Sequence, residues 1–231
     1  MGFPITPFID LLNSILCFFC AWKLYSSYKR DRSNKVIEYF FKAYVMMMVA
    51  YLFFCLPRII IPENSFYLGV GFVIAQIFMF IATAYLAMIT TFFADPSKAK
   101  IAFILVIILA TVVFILSIIY FGLPDYNTAT GITNWNIDPI VGIASSILFL
   151  MVLVPSTIFF IIQGFKTHDN VVRVRSFLIS LGFVLLIITA YTFYRAATQT
   201  QAFISDLFSL SSFIVIFLGV YYKRIYIFKN K

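Results

Sequence analysis

The sequence predicts an all-α integral membrane protein: a single bundle of seven transmembrane helices, with the N-terminus outside and the C-terminus in the cytoplasm. Composition is the first observation behind this. Of 231 residues, 63% are hydrophobic and only 11% are charged, with a mean hydropathy of +1.01, whereas soluble domains carry about 25% charge. A water-soluble fold has nowhere to hide that much apolar surface. The second observation is the continuity of the apolar runs, each close to the roughly 20 residues that a spanning helix needs. The third is where the basic residues fall between them.

In order, the runs cover residues 5–28, 36–56, 66–92, 101–121, 139–165, 176–193 and 204–222, separated by polar or proline-containing breaks. The basic cluster of the first run follows it, and no small-residue cleavage site is present, so the run is expected to be a retained helix rather than a signal peptide. Asp95-Pro96 before the fourth run and Asp138-Pro139 before the fifth each place an acceptor at the N-cap and a pre-set φ at N1. Pro155 lies inside the fifth run, where its missing N–H is expected to bend the helix. Strands are excluded because the runs are continuous rather than alternating, and in lipid only helices or closed barrels satisfy every backbone group. Together the spans consume nearly the whole chain as one domain, leaving no room for a catalytic or effector domain.

Orientation follows from Lys and Arg, which accumulate in short cytoplasmic loops. With the N-terminus outside, 15 of the 17 basic residues fall on the cytoplasmic side, and only Arg58 and Arg195 fall outside. Four acids (Asp31, Glu38, Asp95 and Asp169) share the inner side, for a net +11; the other five leave the outer side at −3, which together recover the +8 of the chain. The pI of about 9.4 therefore reflects topology and contact with anionic headgroups on the cytoplasmic face, not nucleic acid. The expected location is the cell membrane.

The fourth run, IAFILVIILATVVFILSIIYF, has no charge, amide or proline and reads as a lipid-facing linker. On either side of it stand two three-helix groups of matching layout. A shift of 137 lays Lys29 on Lys166, Phe40 on Phe177, Arg58 on Arg195 and Phe66 on Phe203. The positional match suggests a 3+1+3 parallel duplication of the transporter-repeat kind.

Polar residues inside spans are rare, costly and usually functional, so they are the specific leads. Asp10 sits more than a turn inside the first run, with Asn13 and Ser14 below it; Asp206 is at similar depth in the seventh, followed by Ser209, Ser211 and Ser212. Arg58 and Arg195 end the second and sixth runs, and Tyr191 precedes Arg195 by four residues on the same helical face. Two readings follow. In one, the acids pair with the arginines to lock the bundle, Asp206 with Arg195, while Arg58 snorkels to the interface. In the other, these groups with Asn13, Gln76, Tyr191 and Ser209 line an outward-facing pocket for a small polar ligand. Gln76 and the series Thr83, Thr90, Thr91 also suit interhelical hydrogen bonds.

Cys17 and Cys20 form C-F-F-C within the first run and Cys55 lies in the second; with no thiolate-stabilising charge nearby, three apolar-buried thiols are expected. His168, in a cytoplasmic loop, is expected to be solvated. No glycine-rich phosphate loop, Ser-His-Asp set, HExxH or metal-ligand cluster is present, so neither an enzyme activity nor a cofactor is expected.

The N-outside frame, the basic first loop YKRDRSNK, the polar outer loop LPDYNTATGITNWNID and the sixth-run entry VRVRSFLISLGFVLLI together resemble the seven-helix sensor module at the N-terminus of bacterial membrane histidine kinases. The resemblance covers nearly the whole chain. It implies sensing of an outside or in-membrane signal, passed down the last helix. Here KRIYIFKNK follows the seventh run, so output is expected through a separate signalling partner or a homodimer. Microbial rhodopsins share the topology, but the position four residues after Asp206 is Leu210 rather than lysine, which excludes a retinal Schiff base. Seven-helix sugar transporters of 3+1+3 type share only the plan. The expectation is a membrane receptor or sensor-like module with an outer pocket. A small-solute transporter is the first alternative, and a structural or assembly subunit the second.

Overall fold

In a computed structural model of the chain, residues 5–229 are described, with side chains through residue 222. Lys223, Arg224, Lys229 and Lys231, which contributed to the orientation argument, lie outside the residues whose side chains are described. Among the described residues seven helices are long and apolar enough to cross a membrane, as expected of a multi-pass membrane protein: α1 (Ile5–Arg30), α2 (Lys35–Ile60), α3 (Ser65–Ala94), α4 (Ala99–Ile119), α5 (Pro139–Lys166), α6 (Asn170–Phe193) and α7 (Gln199–Lys229).

The helix starts are chemical rather than hydropathic. Asn34 caps α2 by accepting from Ile37 N, Asn64 caps α3 by accepting from Tyr67 N, and Asp138 caps α5 from Ile140 N with Pro139 at the first helical position. Asp169 accepts from both Val171 N and Val172 N, which starts α6 at Asn170, six residues before the apolar run. Arg173 and Arg175 then ride in its first turns, and hydropathy registers the helix only after them. Helix α7 likewise starts at Gln199, five residues ahead of the run at 204. Asp95 does not cap α4 as expected. It caps a 3₁₀ turn, Pro96–Lys98, and α4 begins behind that turn with no side-chain cap. Hydrogen bonds from Ser97, then Lys98, hold the Asp95 carboxyl below its ordinary range. Helix α5 continues through Pro155, and α2 through Pro57.

Helices adjacent in sequence pack together from α1 to α3 and from α5 to α7. In addition, α7 lies against α1, and α3 against α5. Six helices thus close on themselves, and α4 packs from outside on α3 and α5. Its buried residues form one stripe, Val106, Ala110, Val113 and Ser117, and its other faces carry exposed Ile and Leu. Small residues bring the helices close. A Cβ at Gly182 of α6 would come 2.2 Å from Ile216 of α7, where Ser212 Oγ also donates to Gly182 O (2.8 Å). Other inter-helix bonds join Ser14 Oγ to Met48 O (3.1 Å), and Thr90 Oγ1 to Ser156 Oγ (2.7 Å).

The connection between α4 and α5 is not an open loop. Asp125–Asn127 (β1) and Ile132–Asn134 (β2) pair antiparallel, Asp125 opposite Asn134, around a turn with Gly131 at φ 67°. Gly131 O accepts from Thr6 N (3.3 Å) and Thr6 Oγ1 (3.2 Å). The hairpin is thereby tied to the first turn of α1, and β2 also lies against α7. Period-2 patterning over three residues is too short to read from sequence, so this element was not foreseen.

Candidate functional site

Arg58 organises the hairpin end of the bundle. Carried on the last turn of α2, it is only 2% exposed, because the hairpin folds over it. Snorkelling to an interface is therefore corrected. Its Nε donates to Phe54 O (2.7 Å), and Nη1 donates to Thr6 Oγ1 (2.9 Å) and Thr133 Oγ1 (3.3 Å). Nη2 forms an ion pair with the Asp10 carboxylate of α1. The guanidinium lies 5.0 Å from the centroid of the Trp135 ring, a cation–π contact in a dry setting. A buried charge is tolerated only when paired and hydrogen-bonded, and Arg58 meets both conditions with groups from α1, α2 and the hairpin.

Beneath this cluster lies a cavity of about 80 Å³. Asp10 and Asp206 supply its charge, Tyr51, Thr83, Thr189 and Ser209 its hydroxyls, and Phe54, Trp135, Phe149, Phe193, Tyr194 and Phe213 its aromatic wall. Every helix except α4 contributes. Asp206 of α7 is 8% exposed and within electrostatic range of Arg58. One turn further along α7, Ser209 Oγ accepts from Asn13 Nδ2 (3.0 Å) and bonds to the Tyr51 hydroxyl (2.8 Å), linking α1, α2 and α7.

The wall is continuous. Phe54 meets Trp135 edge-on at 5.6 Å and Phe193 at 6.1 Å, Phe193 meets Tyr194 at 5.2 Å, and Tyr51 meets Phe213 at 5.2 Å. Toward the other end of the bundle the space is filled. Phe183 packs on Phe160 at 5.7 Å, Phe160 on Phe40 at 6.1 Å, and Ile216 (1% exposed) wedges against Gly182.

Five of the eight residues singled out from sequence come together here: Asp10, Asn13, Arg58, Asp206 and Ser209. Gln76 stands apart. It is fully buried, its amide toward the Tyr194 hydroxyl together with Ser145, and it does not line the cavity. Tyr191 and Arg195 are on the exposed surface. Arg195 Nη1 donates to the Tyr191 hydroxyl (3.0 Å) and its guanidinium stacks 4.5 Å from that ring. The expected Asp206–Arg195 pair is therefore corrected. Arg195 lies beyond the end of α6, on the same outward face as Tyr191, while Asp206 turns inward toward Arg58.

Sequence reading missed Tyr51, Thr6, Thr133 and Trp135. Tyr51 carried a signal, two turns before Arg58 on one face of α2. The two hairpin residues carried none, because nothing local says that the loop between α4 and α5 folds inward. Cys17, Cys20 and Cys55 are buried free thiols, and His168 is exposed. Among the described residues no group of three or more His, Cys, Asp or Glu gathers as a metal site. No family profile, curated protein or solved structure matches this chain.

Proposed function

We propose that this protein is a membrane receptor or sensor-like module, which takes a small ligand into the cavity under the hairpin and passes the change to a separate partner. One observation carries the reading: the cavity is walled near the hairpin by titratable and hydroxyl groups, yet closed beneath by packed Phe40, Phe160, Phe183 and Ile216. A transport path needs continuity to the far side; a sensor needs a dead-end pocket whose occupancy shifts helices. Helices α1 and α7 both contribute to the pocket, and α7 runs from it to the opposite end of the bundle, so α7 is the natural carrier of the signal. The position of α4 outside six closed helices supports the second reading, a solute transporter of 3+1+3 plan.

The two readings separate in proteoliposomes. A compound that stabilises the purified protein should show no time-dependent uptake above that of empty vesicles. Concentrative or counterflow uptake of such a compound would establish transport instead.

The proposed orientation places the hairpin outside the cell membrane, facing the environment, with the basic loops against anionic headgroups. Cysteine introduced at Thr128, which is exposed at the hairpin turn, should react with an impermeant maleimide added to intact cells. Cysteine at Asn34 or Asn170 should react only after permeabilisation. The native thiols are buried and should contribute little background. The reverse pattern would invert the topology.

A further inference from the structure

We infer that the cavity is a binding site for a small organic monocation, an alkylammonium of about four heavy atoms, with Asp206 as its counter-ion. This rests on the receptor reading of the pocket and specifies its ligand.

Charge comes first. Asp10, Arg58 and Asp206 are buried together, and with both acids ionised two carboxylates against one guanidinium leave one negative charge in excess. Arg58 is committed to Asp10, Phe54 O, Thr6 and Thr133. Asp206, nine-tenths buried, has neither a hydrogen bond nor an ion pair among the described residues, and its carboxylate borders the cavity. A buried carboxylate in that state is costly unless a cation reaches it.

The wall selects the kind of cation. Tyr51, Phe54, Phe193, Tyr194 and Phe213 line the space, and aromatic enclosures hold alkylated ammonium ions through cation–π attraction and methyl contact. An inorganic cation would need to replace its water shell with about six oxygens, whereas most of this wall is carbon. Size sets the limit. Apolar cavities of about 150 Å³ take up benzene, so one of about 80 Å³ suits about three or four heavy atoms. Trimethylammonium meets both conditions, its methyls against the rings and its N–H directed at Asp206.

The test uses the full-length protein in lipid nanodiscs. Trimethylammonium chloride should raise the melting temperature by about 3 °C at saturating concentration. Sodium chloride at equal ionic strength and isopropanol, a neutral molecule also of four heavy atoms, should not, and tetraethylammonium should be excluded by size. Asp206→Asn should abolish the shift. Ala190→Leu, which projects an isobutyl group into the cavity from a lining position, should abolish it as well, and Arg195→Gln, away from the cavity, should retain it. With only two tryptophans in the chain, Trp22→Phe leaves Trp135 in the wall as sole emitter, and its fluorescence should change on trimethylammonium addition. That readout also serves if Asp206→Asn does not fold, since Ala190→Leu must then silence it. Equal shifts by isopropanol, or a shift that survives Asp206→Asn, would overturn the cation class while leaving a ligand pocket standing. No response from either method, together with a more stable Ala190→Leu variant, would reduce the cavity to a packing defect and end both readings.

Discussion

Arg58→Gln should lower the melting temperature of the protein by roughly 6 to 12 °C, the largest effect of any single polar substitution. Its side chain is 2% exposed and joins Asp10, Thr6, Thr133 and the Phe54 carbonyl. Removing one partner of a buried pair leaves the other charge uncompensated, which costs about 3 to 5 kcal/mol. The lower end is appropriate within a bilayer, where polar contacts are worth less than in water, and each kcal/mol moves Tm by about 2 to 4 °C for a domain of this size. Asp10→Asn alone should be similarly damaging. The double variant should recover much of the loss, because neither charge is then orphaned, so the cycle should be strongly non-additive. Arg195→Gln is the contrast. Its side chain bonds among the described residues only to the exposed Tyr191, so the change should alter stability by no more than about 0.5 kcal/mol, and its effect should simply add to that of Asp206→Asn. Additive losses for Asp10 and Arg58, or coupling between Arg195 and Asp206, would contradict this arrangement of charges.

Gly142→Ala should be the second large effect. Helix propensity alone would favour alanine by about 0.5 to 1 kcal/mol in the middle of a helix. At this position the new Cβ would lie 2.5 Å from the Tyr194 carbonyl oxygen, and a backbone atom cannot swing aside as a side-chain tip can. Separating α5 from the end of α6 should cost about 2 kcal/mol net. It would also move Tyr194, whose ring packs on Phe149 at 5.8 Å in the cavity wall. Denaturation in detergent should therefore begin about 4 to 8 °C lower, and any ligand-induced stabilisation should weaken with it. Gly164→Ala offers the comparison: its new Cβ meets only the ring of Phe177, at 3.0 Å, and a ring can rotate away. Equal behaviour of the two variants would refute the close α5–α6 approach.

Seven helices were legible because lipid leaves the backbone so few solutions. Runs of apolar residues, Asp138-Pro139 and the loop charges each carried a local signal. The errors of boundary have one origin. Arg173 and Arg175 hide the start of α6 from hydropathy, although Asp169 caps it plainly. Within the site, Asp10, Asn13, Arg58, Asp206 and Ser209 could be named because polarity inside a span is conspicuous. Their partners could not be assigned, since helix phase near a terminus decides whether an arginine turns inward, like Arg58, or outward, like Arg195. Trp135 and Thr133 were beyond reach for another reason: an exposed-looking polar loop carries no mark of docking onto Thr6 through Gly131.

The partners of Arg58 are distributed along the chain in an order that bears on how the protein enters the membrane. Asp10 and Arg58 lie on consecutive antiparallel helices, so both are made before α3. Each charge placed alone at mid-membrane would add about 2.5 to 3.5 kcal/mol to insertion. Leaving the ribosome as a helical pair, α1 and α2 can neutralise each other before α3 to α7 are made, so this pair is suited to pass from the translocon to lipid as one unit. Thr133 and Trp135 follow only after α4 is made, and Asp206 joins them on α7, completing the cavity on a scaffold whose Arg58–Asp10 pair is already matched.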